Sequence, residues 1–121
     1  MDEKKIRSFK DLKIWQKGIE IVKDIYKITK DFPKDELYGL TSQMRRCAVS
    51  VPSNIAEGFK RYHDKEYRQF LYIALGSSAE LETQLIISNE LKYINNKESE
   101  EIYEKVDHLS RMIMALIQKL K

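Results

Sequence analysis

The chain has 121 residues, of which 42% are hydrophobic and 34% charged, and it carries a formal net charge of +3. That length supports one domain, 1–121, with a modest core, and four glycines and two prolines are too few for the many turns of an all-β fold. No apolar run is long enough to span a membrane, the charged start Met1-Asp2-Glu3-Lys4-Lys5 lacks the apolar segment of a secretory signal, and a single cysteine cannot form an internal disulfide; together these predict a cytoplasmic protein.

The first predicted helix covers about 9–30. Ser8 and Asp11, three apart, read as a variant of the capping box that opens it. Two apolar stripes then run along the same helix. One is Leu12, Trp15, Ile19, Val22, Tyr26 and Thr29; the other is Ile14, Gly18, Ile21, Ile25, Ile28 and Phe32. A helix needs one stripe to join a bundle in its own chain, so the second predicts self-association through Ile14, Ile21, Ile25 and Ile28. The alternative is a first helix central in its own bundle and touching all three others.

Phe32-Pro33 breaks the pattern, and Asp35 with Glu36 suits the positive end of a second helix over about 36–61. Leu37, Leu40, Met44, Cys47, Val51, Ile55 and Phe59 form its core face. Pro52 lies inside this periodicity, where it removes a backbone donor and crowds the carbonyl of Ala48, so a helix kinked near Pro52 is expected, with Ser50, Ser53 and Asn54 close enough to serve the freed carbonyl. Cys47 falls on the apolar face and reads as a small buried side chain rather than a reactive thiol. Beside the core face runs a polar stripe, Gln43, Arg46, Ser50, Asn54 and Glu57. It reads first as an internal network that fixes helix register, with Glu80 and Gln84 of the next helix as partners, and alternatively as a ligand or partner groove.

Asp64 is the expected N-cap of a third helix over about 64–93, with Tyr67, Leu71, Ala74, Ser78, Leu81, Leu85 and Ser88 facing inward. The small residues Ala74, Gly76, Ser77, Ser78 and Ala79 would admit a close neighbour, at the Pro52 kink. Asn95-Asn96 marks a turn, and Glu98, Glu100 and Glu101 load the start of a fourth helix over about 97–120 whose seam is Ile102, Val106, Leu109, Ile113, Leu116 and Leu120. Four helices with short connections predict an all-α, up-down-up-down antiparallel four-helix bundle.

Catalysis has little support. His63 and His108 have no cysteine or second histidine at ligand spacing, Glu104 and His108 alone read as a surface pair, and no phosphate loop or nucleophile elbow occurs, so no enzyme, cofactor or metal is expected. Charge is more informative. In an up-down bundle one end collects Lys4, Lys5, Arg7, Lys10, Lys13, Lys60, Arg61, Lys65, Arg68, Lys119 and Lys121 against Asp2, Glu3, Asp11, Glu57, Asp64 and Glu66, while the opposite end is mixed. Such an end can hold phosphates, with Tyr62, His63 and Tyr67 available to stack on bases.

The run Tyr38-Gly39-Leu40, Gln43, Arg45-Arg46, Ser50, Pro52 and Asn54-Ile55-Ala56-Glu57-Gly58 resembles the four-helix-bundle family encoded in 23S rRNA intervening sequences, and the accessory proteins of diversity-generating retroelements look like relatives. Phe9-Lys10-Asp11-Leu12 with Trp15, Phe32-Pro33, Gly76-Ser77 and Glu80-Leu81 extend the resemblance over nearly the whole chain. It implies a ring-like homo-oligomer, a homopentamer with a central channel, and a nucleic-acid-associated role in which retroelement relatives partner a reverse transcriptase. The sequence therefore predicts a non-enzymatic, oligomeric RNA- or DNA-binding protein, and alternatively a scaffold that grips a polypeptide partner through a ring or polar groove.

Overall fold

The computed structural model describes residues 5–120, and Lys4, one of the basic residues singled out above, lies outside them together with Lys121. The described residues form four α-helices, α1 (Lys13–Thr29), α2 (Leu40–Phe59), α3 (Asp64–Glu90) and α4 (Asn96–Lys119), with short 3-10 turns at Phe9–Asp11 and Lys34–Glu36 and no strand among them. Around one core, the backbone of α2 runs close to those of α1 and α3, and that of α4 close to those of α1 and α3, while the backbones of the diagonal pairs stay farther apart. The first helix therefore has two close backbone neighbours, α2 and α4, and shares its core with all three other helices.

Local chemistry explains each boundary. Ser8 and Asp11 do form a reciprocal capping box, but it closes a 3-10 turn; Leu12 is extended at ψ 130°, and α1 starts only at Lys13. At the start of α2, where Gly39 offers no side-chain cap, Glu36 accepts from the Leu40 amide at 3.1 Å through one carboxylate oxygen and from the Tyr93 hydroxyl at 2.9 Å through the other. One side chain thus caps a helix and anchors it to the α3–α4 connection. The third helix stops at Glu90 because Lys92 takes the left-handed conformation, φ 65°, while its amide donates to Asn89 and that of Tyr93 to Ser88, satisfying carbonyls the helix end would orphan. His63, not Asp64, is the N-cap of α3, and Asn95 with Glu98 makes a full capping box at α4.

The core holds Ile25, Met44, Ile55, Leu71, Leu81, Leu85, Val106, Leu109 and Ile113, all nearly without exposure. Burying each large aliphatic side chain stabilises the fold by about 1.5–3 kcal/mol. The helix α2 runs unbroken through Pro52, which is itself buried. Its tight neighbour is Gly18 of α1, where an added Cβ would sit 3.2 Å from the Pro52 Cβ. Gly76 was expected to provide a close approach, yet nothing lies within 4 Å of the corresponding position there.

Gly18 also explains why the assignment of Ile14, Ile21, Ile25 and Ile28 to an interface between copies must be corrected. By letting α1 close onto α2, it turns their stripe inward: Ile14, Ile21 and Ile25 are 6%, 3% and 0% exposed within a single chain, and Ile28 is partly buried against the same core. On the other stripe Thr29 is buried and Leu12, Trp15 and Val22 pack partly against the core, while Tyr26 stays exposed under the Arg45 guanidinium at 4.6 Å. Of the isoleucines on α1, Ile19 alone is left half-exposed on the outer side.

Candidate nucleic-acid interface, polar seam and acidic groove

At the basic end, Lys60 just past α2 places its Nζ 6.0 Å from the centre of the Phe9 ring, and Phe9 packs against Trp15 at 5.4 Å. The N-terminal turn, with Lys5, Arg7, Lys10 and Lys13, is thereby brought beside the α2–α3 bend that carries Lys60, Arg61, Tyr62 and His63. Lys5, Arg7, Lys10, Lys13, Lys60 and Lys65 are exposed, and Arg68 is half-buried. Arg61 is held locally, 2.9 Å from Glu57, 3.9 Å from Glu66 and stacked 4.8 Å over Phe70. Tyr62 is 98% exposed and free to stack. Tyr67 is not: it lies edge-on to Phe59 at 6.1 Å, and burial, helped by the charge of Asp64, pushes its hydroxyl up to about 12.

The polar stripe of α2 divides in two. Ser50 Oγ lies 2.8 Å from Ser77 Oγ, Cys47 Sγ donates to the Ser77 carbonyl, and Asn54 Nδ2 donates to both the Ser50 carbonyl (2.8 Å) and its hydroxyl (3.0 Å). The two contacts with Ser77 sew α2 to α3, and the Asn54 bonds, within α2, hold the Ser50 hydroxyl in place. Gln43 and Arg46 face solvent, and Glu57 turns to Arg61. The main partner across the seam is Ser77 rather than Glu80 or Gln84. Glu80 acts on Cys47, whose thiol is pushed up to about 12, first by burial and then by that carboxylate, and so stays protonated and unreactive. Gln84 is buried, and its Oε1 has no hydrogen-bond partner among the described residues.

Sequence reasoning missed two surfaces. Along the outside of α3, Tyr72 and Ile73, then Ile86 and Ile87, are 41–53% exposed and lie two heptads apart on one line, with Gly76 between them. Their spacing was visible, but an inward stripe on the same helix masked it. The second surface is a groove of about 1090 Å³ between the later half of α1 and the start of α4, rimmed by Asp24, Asp31, Glu98, Glu100, Glu101 and Glu104 against Lys27 and Lys105. Lys105 is neutralised there by Glu20 at 3.1 Å and Asp24 at 2.8 Å, and these bonds push its ammonium above its ordinary value. The lining of this groove is predominantly acidic.

Among the described residues, no group of three or more His, Cys, Asp or Glu is placed to hold a metal ion, and no helix is long and apolar enough to cross a membrane. Four amphipathic helices around one core, the middle two joined by a hydrogen-bonded seam, define an all-α four-helix protein. Residues 10–115 match the model of the 23S rRNA-intervening sequence protein family, and the chain belongs to that family. A crystal structure of a protein of unknown function from the S23 ribosomal protein family of Bacteroides thetaiotaomicron is similar in fold, with a TM-score of 0.78 and 21% identity over 86% of this chain and 97% of that one. Comparison with curated proteins finds no match.

Proposed function

We propose that this chain is a non-enzymatic, cytoplasmic, oligomeric nucleic-acid-binding protein that captures RNA or DNA phosphates on its basic end. The observation that carries this reading is the cluster of exposed cations around the Lys60–Phe9 contact, with the exposed Tyr62 ring beside it. Family membership supports an association with RNA. The helices form an up-down-up-down antiparallel bundle in this reading, supported by the order of contacts: Thr29 with Arg45 and Gly18 with Pro52, Met44 with Ser88 and Gly58 with Tyr67. That topology adds Lys119 to the same end.

Copies assemble into a ring-like homo-oligomer, five in the arrangement that the family resemblance implies, and line up their basic ends. Support for assembly now comes from the exposed apolar line on α3 rather than from α1. A kinship with retroelement accessory proteins would add a reverse transcriptase as partner. The test is a mobility shift with structured RNA at two salt concentrations, alongside the native mass. Neutralising about four phosphates makes affinity fall roughly 50–150-fold between 50 and 200 mM salt. Replacing Lys60, Arg61, Lys65 and Arg68 together with alanine abolishes the shift and leaves the native mass unchanged; no shift at low salt from the unaltered protein, or an unaltered affinity in the variant, refutes the reading.

A further inference from the structure

We propose that the groove between α1 and α4 is a docking site for a basic, amphipathic polypeptide segment, a site separate from the nucleic-acid surface and independent of that reading. The pair α1 and α4 is the least extensively packed of the four neighbouring pairs, and near the start of α4 the two helices leave an opening of about 1090 Å³. Ile28, Ile94, Ile102 and Tyr103 line it. Ile94 and Ile102 are 6% and 5% exposed and form the base, while Ile28 and Tyr103 are half-buried and present apolar surface at the sides. The exposed carboxylates Asp31, Glu98, Glu100, Glu101 and Glu104 stand around this apolar floor and outnumber the lysines there, Lys27 and the paired Lys105.

This combination selects the occupant. Phosphates, and anionic membranes with them, are repelled by the rim. An opening just above the range for small-molecule cavities, about 300–1,000 Å³, with charge spread along its length rather than converging on one point, suits a polypeptide better than a compact ligand. A helix laid in such a groove places apolar side chains at i, i+3 or i+4 and i+7 on the floor, and lysines or arginines on its flanks meet the carboxylates. The charge also adds selectivity, because an acidic helix of the same apolar pattern would face like charges.

The probe is a fluorescently labelled synthetic peptide of about four helical turns with leucines on one face and lysines elsewhere, titrated with the full chain and followed by anisotropy. A serine/lysine peptide of equal charge and a leucine/glutamate peptide of equal pattern serve as controls. The leucine/lysine peptide binds, both controls bind at least about tenfold more weakly, and Ile28→Lys or the surface pair Glu101→Gln with Glu104→Gln weakens binding by about tenfold or more. Those two glutamates are exposed, so the pair keeps the fold if Ile28→Lys does not, as circular dichroism shows. Equal binding of the serine/lysine peptide, or unchanged affinity of the glutamate pair, overturns the proposal. So does a fall in native mass with these substitutions in the absence of peptide binding, which would make a second copy the occupant. Loss of RNA binding in the basic-end variant with peptide binding intact separates the two sites.

Discussion

Replacing Gly58 by alanine tests how closely α2 and α3 are packed near their connection. A Cβ built on Gly58 would lie 2.8 Å from the Phe70 Cβ, 3.0 Å from a ring carbon of Tyr67 and 3.2 Å from the Tyr67 carbonyl oxygen. The Phe70 Cβ and the Tyr67 carbonyl are fixed to the backbone of α3, so neither can swing away, and relief requires the helices to separate. Overpacking of this kind costs about 1–3 kcal/mol, and the helix propensity gained over glycine returns up to about 1 kcal/mol near a helix end. The net expectation is a loss of about 1–2 kcal/mol, which for a chain of this size lowers Tm by roughly 4–8 °C. Thermal unfolding followed by circular dichroism reads the shift. A variant as stable as the parent, or more so, would mean that α2 and α3 do not approach this closely at Gly58.

Lys92→Gly relieves the one left-handed non-glycine residue among those described, and raises stability by about 0.5–1 kcal/mol in urea unfolding. Thr29→Val removes the hydroxyl that donates to the Ile25 carbonyl at 2.7 Å and accepts from Arg45 Nε at 2.9 Å, a loss of about 1.5–3 kcal/mol by the same measurement. Asn95→Ala breaks the capping box of α4 and costs about 1 kcal/mol, with amide exchange accelerating first at the start of that helix. Cys47 ordinarily ionises at 9.0 and is pushed up to about 12 in the fold. Below pH 9 both states hold the proton and the shift has no effect; above it only the unfolded chain releases the proton, so stability falls by up to about 1.4 kcal/mol per pH unit. Urea midpoints between pH 9 and 11 should therefore decline less steeply for Cys47→Ala than for the parent.

Much of the fold was legible because helical periodicity is a property of local sequence. The core faces of α2, α3 and α4 read directly from residues three and four apart, and Met44, Val51, Ile55, Leu71, Leu81, Leu85, Val106, Leu109 and Ile113 are all buried. The capping box of Ser8 and Asp11 was visible for the same reason, since both partners lie within one turn. What it capped was not visible, because the extended conformation of Leu12, which ends the turn, leaves no mark in the spacing of the residues around it. The end of α3 was overrun by three residues: nothing in Leu91-Lys92-Tyr93 signals the left-handed turn, and a lysine occupies the position that glycine usually marks. Within the candidate sites, the basic residues at 60–68 were readable as a charge cluster. Ser77 as the partner of Ser50, twenty-seven residues away, was not.

The sequence by itself determined that the chain makes four helices, roughly where each begins, and which residues of three of them are apolar enough to form a core. Only the tertiary structure decided which of the two stripes on α1 is buried more deeply, because both satisfy the same spacing and the difference lies in contacts between helices, such as the close approach of Gly18 to Pro52, that no local pattern encodes. It also decided that α1 and α4 part to leave an acidic groove, since a gap is a relation between two surfaces and belongs to neither helix alone. Periodicity fixes the angle of a side chain about its own axis, and the distance to the next axis is set by whatever packs between them.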